Sequence, residues 1–319
     1  MKNNGWYDSF LKALSTKFPK KAQLVQELMD LLCIEREATY RRLRKDVIFH
    51  AYEIAKIASE WNISLDRIMN IASGRISFQM EFVDYVDPSN QDEYLFQSII
   101  ETILYTRDFK ETEFMETCNR LPRSLFAGYG YLNQFYLFRT HQYHIKDNLV
   151  PFSRINISEK SCRLSTKYHQ AIKQVPTTNF ILDLKLFDNL IRDIRYFHSL
   201  RLITDEEKEF IRKDLYALLD YMSEVASEGY YPETKNRVNF YISQVNIDTN
   251  YSCIHTEKEN VCFSQTFDKY EIYTHNSEMA ANFKMGMKLR EKTSVQISVV
   301  DAKSRIDYFE RQRQIVESL

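Results

Sequence analysis

The chain has 319 residues, 44% of them hydrophobic and 27% charged, with a net charge of −1. That composition excludes a disordered or fibrous protein and suits about two globular domains. Only 6 Gly and 6 Pro accompany 21 Tyr and 21 Phe, so long helices around aromatic-rich cores are expected rather than a loop-rich all-β fold.

Residues 5–18 place Trp6, Phe10, Leu14 and Phe18 on one side at helical spacing, and Pro19 ends that helix or opens the next. From Lys21 to Leu32 a broad stripe of Leu24, Val25, Leu28, Met29, Leu31 and Leu32 suits a short buried helix. A turn at Cys33-Ile34 follows, then a helix over Glu35–Lys45. In that helix Ala38, Thr39 and Leu43 face inward, Arg36, Tyr40, Arg41, Arg44 and Lys45 face elsewhere, and Arg42 lies near the boundary. Helix, tight turn and basic helix are the parts of a helix-turn-helix, whose second helix enters the DNA major groove. A connector with bulky Ile48 and Phe49 leads to a helix over 50–61, with Ala51, Ile54, Ala55, Ala58 and Trp61 on one face. Ser64 then caps a last short helix.

These segments carry a resemblance. Leu32-Cys33-Ile34, the helix Glu53–Ser64, and the closing Asn62-Ile63-Ser64-Leu65-Asp66-Arg67-Ile68-Met69 resemble the Cro/repressor-type helix-turn-helix family, also called lambda-repressor-like or XRE. The departures are Cys33 at the turn, where the family has Gly, and Val25, where its second helix opens with Gln. The segment also resembles uncharacterised bacterial regulators with the same arrangement. The resemblance implies a five-helix DNA-binding head over 1–74, acting as part of a homodimer on double-stranded DNA.

Charge agrees with that reading. Residues 1–75 hold 7 Lys and 6 Arg against 9 acidic residues, a balance of +4, and the remainder carries −5. Phosphates demand fixed positive charge, and base edges are read by residues near the start of the recognition helix. Glu35, Arg36, Glu37 and Tyr40 are therefore assigned to base edges, and Arg41, Arg44 and Lys45 to phosphates. Glu35 and Glu37 also favour a helix N-terminus electrostatically.

Past Gly74 the alternation in Arg75–Phe82 predicts a strand, and Val86-Asp87-Pro88-Ser89-Asn90 a turn at a domain boundary, so 75–90 reads as strand and linker. Residues 91–232 read as mainly helical: Tyr94–Arg107, Leu121–Gln142 and Leu182–Phe197, with 179–182 able to open as a strand. Thr204-Asp205-Glu206-Glu207 is a capping box, and Gly229 is the stop of its helix. Residues 236–319 read as an α+β unit: strands at Val238–Val245, Tyr251–His255, Val261–Thr266, Tyr270–Thr274 and Thr293–Val300, a helix over Ser277–Glu291, and a final helix capped by Asp301. The fold class expected is thus mainly α, with 91–319 as a regulatory or oligomerisation region.

No catalytic or nucleotide-binding signature is present among the common ones, so no enzyme activity and no cofactor are expected. His141 and His144 share a helix face without an acidic or cysteine partner and read as ordinary histidines. The five cysteines lack a paired spacing, the first residues lack an export signal, and no stretch approaches the roughly 18 apolar residues of a membrane span. A cytoplasmic protein with free thiols and no membrane partner is expected. The reading is a sequence-specific transcriptional regulator whose effector is a small molecule, peptide or protein. The alternative is a scaffold that uses the head and the aromatic-rich body for protein contacts.

Overall fold

The computed structural model describes residues 5–61, 63–68, 76, 78–82, 90–109, 111–142, 149–155, 157–258, 260–266 and 270–319. Two compact units divide the chain, Met1–Ser77 and Phe78–Leu319.

The first unit holds five helices among its described residues: α1 (Gly5–Lys17), α2 (Lys21–Leu32), α3 (Arg36–Leu43), α4 (Ala51–Glu60) and α5 (Leu65–Ile68). Tyr7, Phe10 and Leu14 of α1 are fully buried, at the i, i+3, i+7 spacing of one helix face. They meet Leu24 and Leu28 of α2, Phe49, Ile57 and Trp61 in one apolar core. The buried stripe of α4 runs through Ile57, flanked by half-buried Ile54, while Ala51 and Ala55 are exposed. Of the expected face, Ile54 and Ala58 are half-buried and Trp61 is buried, and the correction concerns Ala51 and Ala55: alanine loses little by facing water, so the larger Ile57 sets the rotation of the helix. Of the closing signature, Asn62 and Met69 lie outside the described residues, as do 70–74.

The second unit is built on an eight-stranded mixed sheet of order β1-β7-β6-β5-β2-β3-β4-β8. Its strands are β1 (Gln79–Phe82), β2 (Glu113–Cys118), β3 (Thr177–Asp183), β4 (Arg237–Ser243), β5 (Tyr251–His255), β6 (Asn260–Thr266), β7 (Tyr270–Thr274) and β8 (Ser294–Gln296). The centre, β2-β3-β4, is parallel, and the flanking pairs are antiparallel. Parallel neighbours need long crossovers, and here these are helical. After α6 (Asn90–Thr106), β2 reaches β3 through α7 (Arg123–Phe126), α8 (Gly130–Gln142) and α9 (Glu159–Ile172). Strand β3 reaches β4 through α10 (Leu186–Ser199) and α11 (Asp205–Glu228). After β7 come α12 (Ser277–Glu291), β8 and α13 (Ala302–Glu317).

Alternation along the central strands separates two cores. On one face Phe114, Phe180 and Phe240 line up across β2, β3 and β4, with Phe180 and Phe240 stacked at 5.2 Å. Helices α8, α10, α11 and α13 contribute Phe138, Phe197, Leu215 and Phe309 to this core. The other face is smaller: Met115, Ile181, Cys253 and Cys262 pack with Ala280 and Met287 of α12.

Helix is the dominant regular structure, but the expectation of a helical region over 91–232 followed by a separate α+β unit is corrected. Strands β2 and β3 come from the first stretch and β4 to β8 from the second, and they share one sheet. The strand expected over 75–82 is shorter among the described residues, and as β1 it pairs with β7 at the sheet edge. Of the expected boundary turn at 86–90, residues 86–89 lie outside the described residues and Asn90 opens α6. The final expected strand, 293–300, is cut to β8, because residues 297–300 turn and Val299 takes a positive φ of 60°.

Local signals are met where they are chemical. Thr204 Oγ1 accepts the Glu207 amide at 3.2 Å and Glu207 Oε2 accepts the Thr204 amide at 2.7 Å, completing the capping box. Asp301 Oδ1 accepts the Ser304 amide at 2.9 Å to start α13. The aromatic glycine stretch at 126–131 breaks α7 from α8, and a Cβ on Gly128 would meet the His169 ring at 2.8 Å. Among the described residues no helix is long and apolar enough to cross a membrane.

Candidate nucleic-acid interface

Helix α2 is stopped by Cys33, whose backbone sits in the left-handed region at φ 53°, ψ 46°. The Cys33 amide donates to the Met29 carbonyl, and the Ile34 amide reaches the same oxygen at 3.3 Å. These bonds satisfy an end of α2 that would otherwise be open and reverse the chain into α3. Glu35, extended at φ −72°, ψ 157°, precedes the first helical residue, Arg36.

At 3.6 residues per turn, Arg36, Glu37, Tyr40, Arg41 and Arg44 occupy an arc of about 140° on the helix. Four of them are exposed and Tyr40 is half-buried. The opposite arc holds buried Thr39 and half-buried Ala38, Arg42 and Leu43. Glu35 and Lys45, both exposed, flank the helix at its two ends.

The cations of this stretch have different partners. Arg42 turns inward: Nη2 donates to Glu53 Oε1 at 2.7 Å, Nε to Glu53 Oε2 at 3.0 Å, and Nη1 to the Ala38 carbonyl at 3.1 Å. Both side chains are only 12% exposed. Glu53 also accepts the His50 amide at 2.9 Å, which caps α4. Burial pushes the Glu53 carboxyl up, but the hydrogen bonds from Arg42 and from the His50 backbone outweigh it and hold the pKa below its usual value. The Tyr7 hydroxyl donates to the Arg42 carbonyl at 3.3 Å and accepts the Phe49 amide at 3.2 Å, fixing the end of α3 to α1 and to the connector.

Arg44 bonds Glu37 at 2.8 Å and Asp46 at 3.1 Å, and Lys45 pairs with Asp8. The side-chain hydrogen bonds from Glu37 and Asp46 raise the Arg44 pKa. Two of the three residues expected to clamp phosphates are thus already ion-paired on the surface. Arg36 and Arg41 have no carboxylate partner among the described residues. They are the uncompensated charges of the face.

A further contribution escaped the sequence reading. The first residue of α2, Lys21, holds its ammonium 5.8 Å from the centre of the Tyr40 ring, and exposed Lys20 precedes it. The signal was the Lys20-Lys21 pair opening α2, with its N-terminal amides and partial positive charge. Val25, where the family pattern has Gln, is fully buried and contributes nothing to the face. Of the histidine pair, His141 is half-buried on α8 and His144 lies outside the described residues. No group of three His, Cys, Asp or Glu residues able to hold a metal occurs among the described residues.

No family model matches the chain. No curated protein matches it in sequence. Among solved structures, that of TrmBL2, described as an archaeal chromatin protein showing a novel mode of DNA binding, aligns with 10% identity over 90% of this chain and 80% of the other. Its TM-score is 0.28, and a superposition at that score does not make the two folds the same.

Proposed function

We propose that the helical unit binds double-stranded DNA through α3 in the major groove. The chain is then a non-catalytic, sequence-specific transcriptional regulator with a Cro/repressor-type head, and its body serves dimerisation or effector sensing. One observation carries the reading: Arg36 and Arg41 stand exposed, without carboxylate partners among the described residues, on the side of α3 opposite the buried arc. A carboxylate four residues away can pair with such a charge, but Glu37, four residues before Arg41, bonds Arg44 instead.

The roles follow from position. Arg36, at the helix start, reaches a guanine edge, where a guanidinium can donate twice. Tyr40 lies one turn on, and Glu35 and Glu37 can accept from a cytosine amino group. Arg41 meets phosphate, joined by Lys21 from the start of α2. Arg44 and Lys45 reach phosphate by exchanging exposed carboxylates for it. A helix of eight residues, about 12 Å long, spans few base pairs. Two copies on two half-sites supply the remaining affinity.

A second reading, protein contact, draws on Tyr52 and Ile48 of the same unit, exposed at 75% and 44%. Anisotropy of the full chain with a labelled random duplex pool at low salt separates the two. The DNA reading expects binding that weakens steeply with salt. In Arg36→Ala/Arg41→Ala the affinity falls and, because only Arg41 is assigned to phosphate, the slope of log K against log salt shrinks by about 1. Absence of binding at low salt by the folded chain sinks the DNA reading. Selection of genomic fragments then gives the operator and half-site spacing.

A further inference from the structure

The smaller core of the second unit brings two thiols together. Cys253 of β5 and Cys262 of β6 sit directly opposite each other in their antiparallel pair. Cys253 is fully buried and Cys262 is 4% exposed. The Cys262 thiol donates to the Cys253 sulfur, and the two sulfurs lie 3.0 Å apart. Non-bonded carbon atoms rest at about 3.5–4.0 Å. Sulfur is the larger atom, so this contact is closer than packing alone gives. Cys118, the third buried cysteine, lies in the other core.

The backbone here already meets the demands of a disulfide. Opposed residues of an antiparallel pair have Cα atoms about 4.5 or 5.5 Å apart, inside the roughly 4.4–6.8 Å that a disulfide spans. Only the sulfurs need approach, to about 2.05 Å. Small side-chain rotations supply that movement while the ladder keeps its register. Helix α12 covers the pair: its Ala280 and Met287 pack there with Met115 and Ile181 of the strands. The bond with Cys262 and burial push the Cys253 thiol up, against a smaller opposing effect of Lys284, so its oxidation is slow. A bulky disulfide reagent does not pass this cover. Hydrogen peroxide is little larger than water and needs only a small local opening.

We propose that Cys253 and Cys262 are a peroxide-responsive pair that closes to a cross-strand disulfide and reopens with a dithiol. One sulfur, as the thiolate, attacks a peroxide oxygen. The O–O bond breaks, hydroxide leaves and takes up the thiol proton as water, and the sulfur becomes a sulfenic acid. The second sulfur then attacks the first. The S–S bond forms, the S–O bond breaks, and the hydroxide leaves with the second thiol proton as water. Two thiols have lost two electrons, and one peroxide has become two waters. A dithiol reverses the step by exchange and is itself oxidised to a disulfide. The opposed register keeps the second thiol in contact, so it captures the sulfenic acid before further oxidation. A reducing compartment holds such a pair open until an oxidant arrives. This inference stands apart from the DNA reading, and neither depends on the other.

The test uses the full chain with Cys33→Ser and Cys162→Ser, which removes the two exposed thiols. The folded, reduced protein is held in hydrogen peroxide, quenched with catalase, unfolded and alkylated. Alkylatable thiols should fall from three to one, that of Cys118. Lys258 lies between the pair, so trypsin should release two peptides joined by the disulfide, lighter by two hydrogens than the separate thiol peptides. Dithiothreitol should return all three thiols. The staple should also raise the thermal midpoint by several degrees, read by circular dichroism. Cys253→Ala in the same background should show neither the joined peptides nor the rise; the peptide map of the intact pair does not depend on that variant. The inference is overturned if all three thiols survive a prolonged exposure that oxidises Cys33 and Cys162 of the unsubstituted chain. It is also overturned if one sulfur passes to sulfinic acid without joining the other, or if joining them fails to raise the midpoint.

Discussion

Replacing Glu53 by alanine tests the claim that one arginine of the basic helix is structural. Three things are lost at once: the two-point pair with Arg42, the acceptor of the His50 amide, and the charge balance of a 12% exposed guanidinium. Removing one partner of a buried pair costs about 3–5 kcal/mol, because the other charge stays behind uncompensated. The lost cap of α4 adds about 1 kcal/mol. For a unit of this size each kcal/mol moves the midpoint by about 4–8 °C, so the helical unit melts at least about 12 °C lower. The assay is selective, since Trp6 and Trp61 are the only tryptophans and both belong to this unit. Tryptophan fluorescence during urea or thermal unfolding therefore reports the helical unit alone. Because the folded carboxyl has a lowered pKa, its contribution is present above the unfolded carboxylate pKa and fades as pH falls through the folded value. The variant lacks that acid dependence. A double variant, Arg42→Met with Glu53→Gln, keeps the cap acceptor and removes the stranded charge, and so regains part of the loss. A loss below about 1 kcal/mol in Glu53→Ala would mean that water screens the pair as at an ordinary surface, and the structural role of Arg42 would be refuted.

Two further outcomes concern the body. His169, 8% exposed, bonds the Ser124 carbonyl through Nδ1 at 2.8 Å, and burial, with a smaller push from Lys173, takes its pKa down to about 4. The unfolded imidazole binds its proton first as pH falls through about 6.5, so the body loses about 2 kcal/mol between pH 7.5 and 5. Urea unfolding followed by circular dichroism should show this loss, and His169→Asn, which keeps a donor for Ser124, should flatten it; equal pH dependence in the two proteins counts against the buried neutral imidazole. The thiols offer a simpler check. Cys33 and Cys162 are exposed while Cys118, Cys253 and Cys262 are buried. The Cys118 thiol is pushed up by burial, and that of Cys253 by its bond with Cys262 together with burial. A disulfide reagent should therefore titrate two thiols in the native chain and five in denaturant, and fast reaction of a third would contradict the packing of the smaller core.

How much of this was readable depended on whether the deciding contact was local. The turn at Cys33, the capping box at Thr204 and the stop at Gly229 involve residues within one helical turn, and their chemistry shows in the order of residues. Arg42 was not readable as structural. Its partner Glu53 lies on another helix, and spacing alone left the arginine at the edge of the exposed face. Strand β2 failed for a related reason. Glu113–Cys118 is covered on both faces, so it lacks the polar alternation of a half-solvated strand. It also buries Glu116, whose carboxylate accepts from Ser124 at 2.5 Å and Ser252 at 2.9 Å. A charged residue reads as surface until the hydroxyls that satisfy it are placed.

The turn itself offers the sharpest remaining test, because there sequence and geometry disagree about the residue. Cys33 occupies a left-handed backbone at φ 53°, a region that costs a side chain with a Cβ roughly 1–2 kcal/mol and costs glycine little. Its thiol is exposed, and its hydrogen bond to the Asp30 carbonyl at 3.8 Å is weak. Cys33→Gly removes the strain but gives the unfolded chain more freedom, worth about 0.4–1 kcal/mol in the opposite sense. The net expectation is a helical unit more stable by up to about 1 kcal/mol, read by tryptophan fluorescence in urea. Cys33→Val, branched at Cβ and worse in that region, should destabilise. If glycine destabilises and valine does not, the turn is not left-handed in solution, and α3 would present a different arc from the one on which Arg36 and Arg41 stand.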